Sequence, residues 1–595
     1  MEPRFRFADC DRSRTALSGL ILLRDVSREQ WLRFESPREI IAANEIARVI
    51  PALERVQAWN DAGGYAAGFI AYEAAPAFDD ALVAHTLNDF PLVWFGLYDA
   101  PTIFSFEQLA SNVERSSAIW TPNVARETYN AAIASVREYI ARGDTYQVNY
   151  TMRLRSDFDG DAAQLFSQLV RAQPNSYAAY IDAGRFVIAS ASPELFLLRA
   201  DQTLTMKPMK GTAPRGRFTR EDRARANWLH HSEKNRAENV MILDMARNDL
   251  GKIADVGSVR VTRLWETERY PTVWQMTSTV QATSAASFVE ILRATFPCAS
   301  ITGAPKARTM QIIRELEPEP RRVYTGAIGF LAPNRHMQFN VAIRTALLDR
   351  ATKRAEYGVG GGIVWDSEAG DEYDETRHKA RILTEPPFEF SLIETLKWTP
   401  QENFWLLDYH LRRLRDAADY FDFPFDETRV LNELERGASL LPRAPHKARL
   451  QLARDGALQF SAALLDAQPE PVRVALAQTP VNARDKFLYH KTTQRAVYDA
   501  ALAERGDADD VLLWNERGEI TETCVANLVV QFGAEFFTPP IECGLLGGTY
   551  RAFLLAQGKI SERVILWDEL HDARALFRIN SVRGWQRAEW ARVGG

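Results

Sequence analysis

Met206-Lys-Pro-Met-Lys210-Gly-Thr-Ala-Pro-Arg-Gly216 is the stretch that decides how the rest of the chain is read. Leu204 and Met206 alternate with Thr205 and Lys207, which predicts a strand. Pro208 and Gly211 should break it, because proline cannot donate to a sheet ladder and glycine in a strand marks a bend. Lys210 is then expected at the end of a stiff segment, just before a turn. A lysine held there can be desolvated, lose its proton and act as a nucleophile. A solvated lysine at a strand end has the same local pattern, so its surroundings must decide.

With 595 residues the chain should form two or more cores. Apolar residues make up 46% and charged residues 25%, the balance of a soluble globular protein. A net charge of −6 gives no reason to expect nucleic acid or an anionic membrane as partner. No apolar run reaches the roughly 18 residues of a membrane span. The opening Met1-Glu-Pro-Arg-Phe-Arg6 lacks the apolar centre of a signal peptide. Cys10, Cys298, Cys524 and Cys543 are scattered without metal-ligand spacing, which fits a reducing, cytoplasmic setting.

Outward from the lysine, Gly68–Tyr72 and Leu92–Gly96 read as buried strands, and Tyr129–Ala141 as an amphipathic helix. Tyr146–Tyr150 follows as a strand. Asp222–Arg247 reads as one long helix, with Met241, Ile242 and Met245 as its apolar stripe. Ser300, Thr302 and Gly303 offer hydroxyls and a tight turn before the helix Lys306–Leu316, whose N-terminal amides favour a carboxylate. Tyr324–Phe330 and Met337–Thr345 read as adjacent strands with Arg344 at the end of the second. Its planar fork suits a carboxylate. Gly358–Ile363 exposes backbone amides. Glu372, Glu375 and Lys379 share one helical face, the pattern of either a salt-bridged surface or a binding site.

Several of these runs carry a resemblance. Ser192-Pro-Glu194, the Lys210-Gly-Thr segment, Arg236–Asp249, Phe296–Lys306 and Asp371–Lys379 are similar to the chorismate-utilising enzymes of the aminodeoxychorismate synthase component I type, from about Tyr129 to Leu383. The resemblance implies that Lys210 attacks the substrate ring and Glu194 serves as acid and base. It implies a magnesium site from Glu238, Glu372 and Glu375. It also implies chorismate contacts from Ser300, Thr302, Gly303, Arg344, Gly361, Gly362 and Lys379. Anthranilate synthases, which are related to that type, carry alanine where this chain has Lys210. Many relatives have histidine where Gln275 stands, and glutamine cannot transfer a proton near neutral pH.

Glu385-Pro-Pro-Phe388 punctuates the sequence, and a new pattern begins at Phe390. The remainder resembles fold-type IV pyridoxal-phosphate enzymes, specifically aminodeoxychorismate lyases. Lys491 matches the family's cofactor-linking lysine, with Lys486 as a nearby rival. Glu522 matches the carboxylate on the pyridine nitrogen. Arg413 and the turn Gly544–Thr549, with Gly548 and Thr549 at its end, match the phosphate site. Asn580–Gly584 would face the substrate carboxylate.

The implied fold is an α+β two-domain fusion. Residues 1–384 would form an α/β sandwich of the anthranilate-synthase component I type, with its catalytic core at about 125–384. Residues 385–595 would form an α+β domain resembling D-amino acid aminotransferases. The implied products are 4-amino-4-deoxychorismate from chorismate and ammonia, then 4-aminobenzoate and pyruvate, a precursor step for folate. No cysteine lies in a Gly-x-Cys-x-Gly turn, so ammonia is expected from a separate glutamine amidotransferase subunit or from solution. A homodimer through the second domain is a further expectation. The alternative is an anthranilate synthase fused to a branched-chain or D-amino acid aminotransferase.

Overall fold

The computed structural model describes residues 19–106, 118–174, 176–383, 389–468 and 470–591. Cys10, the N-terminal hexapeptide and the junction at 385–388 lie outside the described residues. The chain divides into two compact units: Met1–Pro214 with Ala226–Pro387, and Arg215–Arg225 with Phe388–Gly595. The second unit therefore takes in a short stretch from the middle of the sequence.

The first unit is built on two ten-stranded sheets. Period-two alternation sorts its side chains. In the strand Ile21–Asp25, Ile21 and Leu23 enter one core and Leu22 enters another. The larger core draws on both sheets, with Ile181 and Ile188 from one and Phe69, Phe330 and Phe339 from the other. Each such side chain contributes roughly 1.5–3 kcal/mol by leaving water. The second core lies on the other face of the first sheet, under the helices Arg126–Ala141, Ala162–Ala172 and Lys306–Leu316.

Three elements depart from the sequence reading. The chain does break after the strand Thr203–Lys207, at Pro208, but it resumes at once as the strand Met209–Pro214. Gly211 is not a turn but part of a bulge, at φ +102° where the pairing register shifts. The long helix is two helices, Thr219–His231 and Glu233–Gly251. Ser232 caps the second, its hydroxyl accepting from Asn235 N–H at 3.4 Å. The run Met337–Thr345 is not one strand. His336–Val341 belongs to one sheet and Thr345–Asp349 to the other, and Arg344 sits in the crossing at φ +49°.

The second unit holds a four-stranded sheet, an eight-stranded sheet and the helices Leu407–Phe421, Glu427–Ala438 and Thr549–Ala556 among its described elements. One core gathers Leu392, Leu396, Leu414, Phe421 and Leu450, and others lie around the eight-stranded sheet.

Candidate active sites

In the first unit the bulge re-aims Lys210 out of strand alternation. Asn239 fixes it there: the fully buried amide donates to Lys210 O at 3.1 Å and to Met276 O at 3.3 Å. Ser278 Oγ donates to the Asn239 Oδ1 at 2.5 Å, so the amide's orientation is set. Glu238, the preceding residue on the same helix, brings its carboxylate to 3.7 Å from Lys210 Nζ. Lys210 Nζ lies over Gly362, where an added Cβ would fall 2.4 Å from Nζ and 2.8 Å from Gln147 Nε2. Gln147 is fully buried, and neither atom of its amide has a hydrogen-bond partner. An orphaned buried amide beside an amine marks a place that a polar ligand would complete.

Glu194 occupies the tight link between the strands Phe186–Ser192 and Leu195–Ala200. Ser300 Oγ donates to its Oε1 at 2.6 Å. Burial raises the carboxyl to about 7, against the opposing pull of Ser300, the Met209 N–H and the charge of Lys210. Thr302 follows Ser300, but its hydroxyl is spent on the Cys298 and Ala299 carbonyls at 3.1 and 3.2 Å. Gly303 is held at φ +142°, with Gln147 O only 2.0 Å from where a Cβ would stand. Gln275 pairs across the strand with Thr212, whose hydroxyl donates to its Oε1 at 3.2 Å.

Arg344 donates to Gln173 Oε1, and burial lowers its pKa. Lys379 donates to Gly360 O at 2.9 Å and pairs with Glu375 at 2.7 Å. Glu372 accepts from Ser367 Oγ at 2.6 Å, and an added Cβ on Gly361 would lie 3.0 Å from its Oε2. Burial raises the Glu372 carboxyl, and the charge of Glu375 adds to the effect.

The expected magnesium trio Glu238, Glu372 and Glu375 is not gathered as a metal cage. Among the described residues no group of three or more His, Cys, Asp or Glu side chains is arranged to hold a metal ion. Lys210 and Lys379 stand where a cation would otherwise balance Glu238 and Glu375. The donors are hard oxygens that suit magnesium, and magnesium takes few protein carboxylates.

In the second unit Lys491 follows the short helical turn Lys486–Leu488, and Ile393 N–H donates to its carbonyl at 2.9 Å. Burial and the neighbouring Arg413 lower its ammonium to about 8. Glu522 is buried, and its carboxyl is raised to about 7 by desolvation. It accepts from Tyr498 OH at 2.8 Å, Leu546 N–H at 3.0 Å and Asn527 Nδ2 at 3.2 Å. Asn527 also donates to Leu546 O at 2.8 Å, and an added Cβ on Gly548 would fall 1.9 Å from its Oδ1. Asn527 thus ties the Gly544–Thr549 turn to Glu522.

Arg413 makes a fork with Glu394, Nε to Oε1 at 2.9 Å and an outer nitrogen to Oε2 at 2.6 Å, and reaches Gly547 O at 3.3 Å. Glu394 is held down to about 2 by Arg413 and His410 despite its burial. A buried amine, a buried carboxyl and a cationic fork beside an amide-bearing turn fit the linkage, ring nitrogen and phosphate of pyridoxal phosphate.

The residues that sequence reasoning missed are those that hold others in place: Gln147, Asn239, Glu394, Tyr498 and Asn527. Asn239 lies inside the matched run Arg236–Asp249, Gln147 in the strand Tyr146–Tyr150, and Asn527 five residues after Glu522. Motif position was therefore the available signal.

Residues 107–385 match the chorismate binding enzyme family and residues 391–589 match amino-transferase class IV. The chain is 38% identical over 296 residues to aminodeoxychorismate synthase component 1 of Bacillus subtilis (strain 168), covering 49% of this chain and 61% of that protein. It is 41% identical over 267 residues to the enzyme of the same name from Escherichia coli (strain K12), covering 44% and 58%. The matched stretch thus spans about three fifths of these curated relatives' own length. The crystal structure of anthranilate synthase component I from Streptococcus pneumoniae TIGR4 is similar at a TM-score of 0.53 and 26% identity, covering 65% of this chain and 95% of that one.

Proposed function

We propose, from a chain that joins a chorismate-binding enzyme domain to a class IV amino-transferase domain, that the protein makes 4-aminobenzoate in two reactions. The observation that carries the first is Lys210, set by a bulge over Gly362 with the buried Glu194 carboxyl beside it. The Lys210 amine forms a bond to the chorismate ring while the 4-hydroxyl leaves as water, protonated by Glu194. Ammonia then forms the C4–N bond and the lysine leaves. The net change is hydroxyl for amine with loss of one water. Arg344 and Lys379 would hold the two carboxylates. Glu238 and Glu372 would hold a magnesium ion brought with the substrate.

The second reaction splits 4-amino-4-deoxychorismate into 4-aminobenzoate and pyruvate. Pyridoxal phosphate, when bound, supplies an electron-withdrawing ring. Lys491 would hold it by its amine, Glu522 would keep its ring nitrogen protonated, and Arg413, Gly548 and Thr549 would take the phosphate. The Lys491 amine would also move the substrate's ring proton as pyruvate is lost.

Ammonia would come from a separate glutamine amidotransferase subunit, as the component 1 names of the relatives imply. The setting would be cytoplasmic. Among the described residues, no helix is long and apolar enough to cross a membrane.

Incubation with chorismate and ammonium tests the reading. Wild type should give 4-aminobenzoate, Lys210→Ala should lose it or divert to 2-aminobenzoate, and Lys491→Ala should accumulate the uncleaved amino compound. A wild-type product that is mainly 2-aminobenzoate would sink the first half. Transamination of a branched-chain or D-amino acid in place of pyruvate release would sink the second.

A further inference from the structure

Behind the phosphate turn of the second unit runs a buried chain of polar groups: Arg413, Glu394, His410 and Thr549. Glu394 lies on the strand Leu392–Thr399, and His410 and Arg413 lie one turn apart on the helix Leu407–Phe421. Thr549 opens the helix Thr549–Ala556. All but Arg413 are nearly fully buried. His410 Nδ1 lies 2.6 Å from Glu394 Oε2, and His410 Nε2 lies 3.3 Å from Thr549 Oγ1.

The donors and acceptors in this chain can be assigned. Glu394 is ionised, so it only accepts, and His410 Nδ1 must carry the hydrogen between them. Burial lowers the His410 pKa, with Arg413 and Lys491 adding to that and Glu394 opposing it. The ring is therefore neutral near pH 7. Its Nε2 is then a lone pair, and the Thr549 hydroxyl must donate to it. Glu394, Arg413 and Lys491 are the charged groups that act on the ring, and the Thr549 hydroxyl is its second hydrogen-bond partner.

A phosphate changes the arithmetic. It accepts hydrogen bonds, and the Thr549 hydroxyl has a single hydrogen. If that hydrogen turns to the phosphate, the oxygen's lone pair faces the lone pair of His410 Nε2. The clash disappears only if Nε2 gains a hydrogen, which Thr549 Oγ1 can then accept. Glu394 is already placed to stabilise the resulting imidazolium through Nδ1.

We infer that His410 takes up a proton when a phosphate settles on the Gly544–Thr549 turn, so that Thr549 turns its hydroxyl from His410 to the anion. His410 is a positioning residue in this role. It acts through Thr549 and reads the anion's charge without touching it. The inference deepens the pyridoxal-phosphate reading and depends on it for the natural ligand, but the anion site can be tested alone.

The probe is inorganic sulfate, which carries the phosphate's charge and is not itself protonated near neutral pH. Calorimetry of sulfate binding to the full chain at pH 7, in two buffers of different ionisation enthalpy, counts the protons taken up. Wild type should take up about one more proton per sulfate than either His410→Gln or Thr549→Val. Its sulfate affinity should fall by up to about tenfold per pH unit between pH 7 and 8, a slope the variants lack. Thr549→Val keeps the test sharp if His410→Gln does not fold. Equal uptake in all three proteins, or no saturable sulfate binding, overturns the proposal. Pyridoxal phosphate is added separately. If sulfate-linked uptake holds but no Lys491-dependent cofactor absorbance forms, the anion site stands and the pyridoxal reading fails.

Discussion

Glu194 is where a single residue's environment does most for the chemistry. Its carboxyl ionises at about 7 in the fold, above the ordinary value of 4.5, mainly through desolvation. Between those two values the folded chain binds more protons than the unfolded one, so this group's contribution to stability falls as pH rises through that window. Glu194→Gln should therefore gain thermal stability relative to wild type as pH goes from 5 to 8. The same variant should lose amination by about 10²- to 10⁴-fold, since glutamine cannot protonate the leaving hydroxyl. Wild-type amination should decline above about pH 7. Ser300→Ala removes a hydrogen bond that favours the anion, and should move that decline to higher pH. A flat pH profile, or an unchanged melting difference in the glutamine variant, would contradict the assignment. Gly362 gives a second residue-scale test. A methyl there meets Lys210 Nζ at 2.4 Å, so Gly362→Ala should displace the amine and cut amination at least tenfold while pyruvate release from supplied intermediate continues. Assaying the two steps separately checks it.

At the scale of elements, the bulge at Gly211 and the helix Glu233–Gly251 work as one device. The bulge turns Lys210 out of the sheet, and Asn239 pins its carbonyl. Asn239→Ala should cost about 1–3 kcal/mol by leaving buried groups unpaired, and should lower kcat of amination more than it raises KM. Chemical denaturation and steady-state kinetics measure the two effects. The same region shows what the sequence could convey. The strand through Met206 and the lysine's identity were legible, because alternation and a motif report on local geometry. The bulge was not, because Gly211 looks the same in a turn as in a register shift, and only the partner strand Val273–Thr283 distinguishes them. The break at Ser232 was hidden because helix-forming residues surround it on both sides, and the cap depends on where the backbone folds. Arg344 was read as a strand end because Met337–Val341 alternates and apolar Ala342 and Ile343 continue the run. Neither glycine nor proline marks the point where the chain crosses from one sheet to the other. The carboxylates Glu372 and Glu375 were readable as one helical face. So was the ion pair of Glu375 with Lys379, four residues on, whereas the bond from Ser367 to Glu372 was not.

At the scale of the whole molecule, each candidate site draws its residues from one unit: Gln147 to Lys379 for the first, and Ile393 to Thr549 for the second. The second unit also needs the stretch Arg215–Arg225. Arg217 donates to Tyr489 OH at 2.9 Å, Tyr420 OH donates to Gly216 O at 2.6 Å, and the Phe218 ring lies 5.3 Å from that of Tyr489. Tyr489 is two residues from Lys491. A chain cut to residues 388–595 loses all three contacts, so it should melt lower and release its cofactor more readily than the full protein. Equal melting and retention would contradict the role of that stretch. The two reactions are therefore better separated by point variants than by cutting. Lys491→Ala keeps the first site and should release the amino intermediate, a small polar molecule that can cross solution. Lys210→Ala keeps the second site and should split that intermediate when it is supplied. Mixed in the presence of chorismate and ammonium, the two should make 4-aminobenzoate after a lag, at a rate that rises with the amount of Lys210→Ala. If each variant performs its own step alone and the mixture still yields no product, the intermediate does not leave the chain that makes it, and the picture of two self-sufficient sites fails.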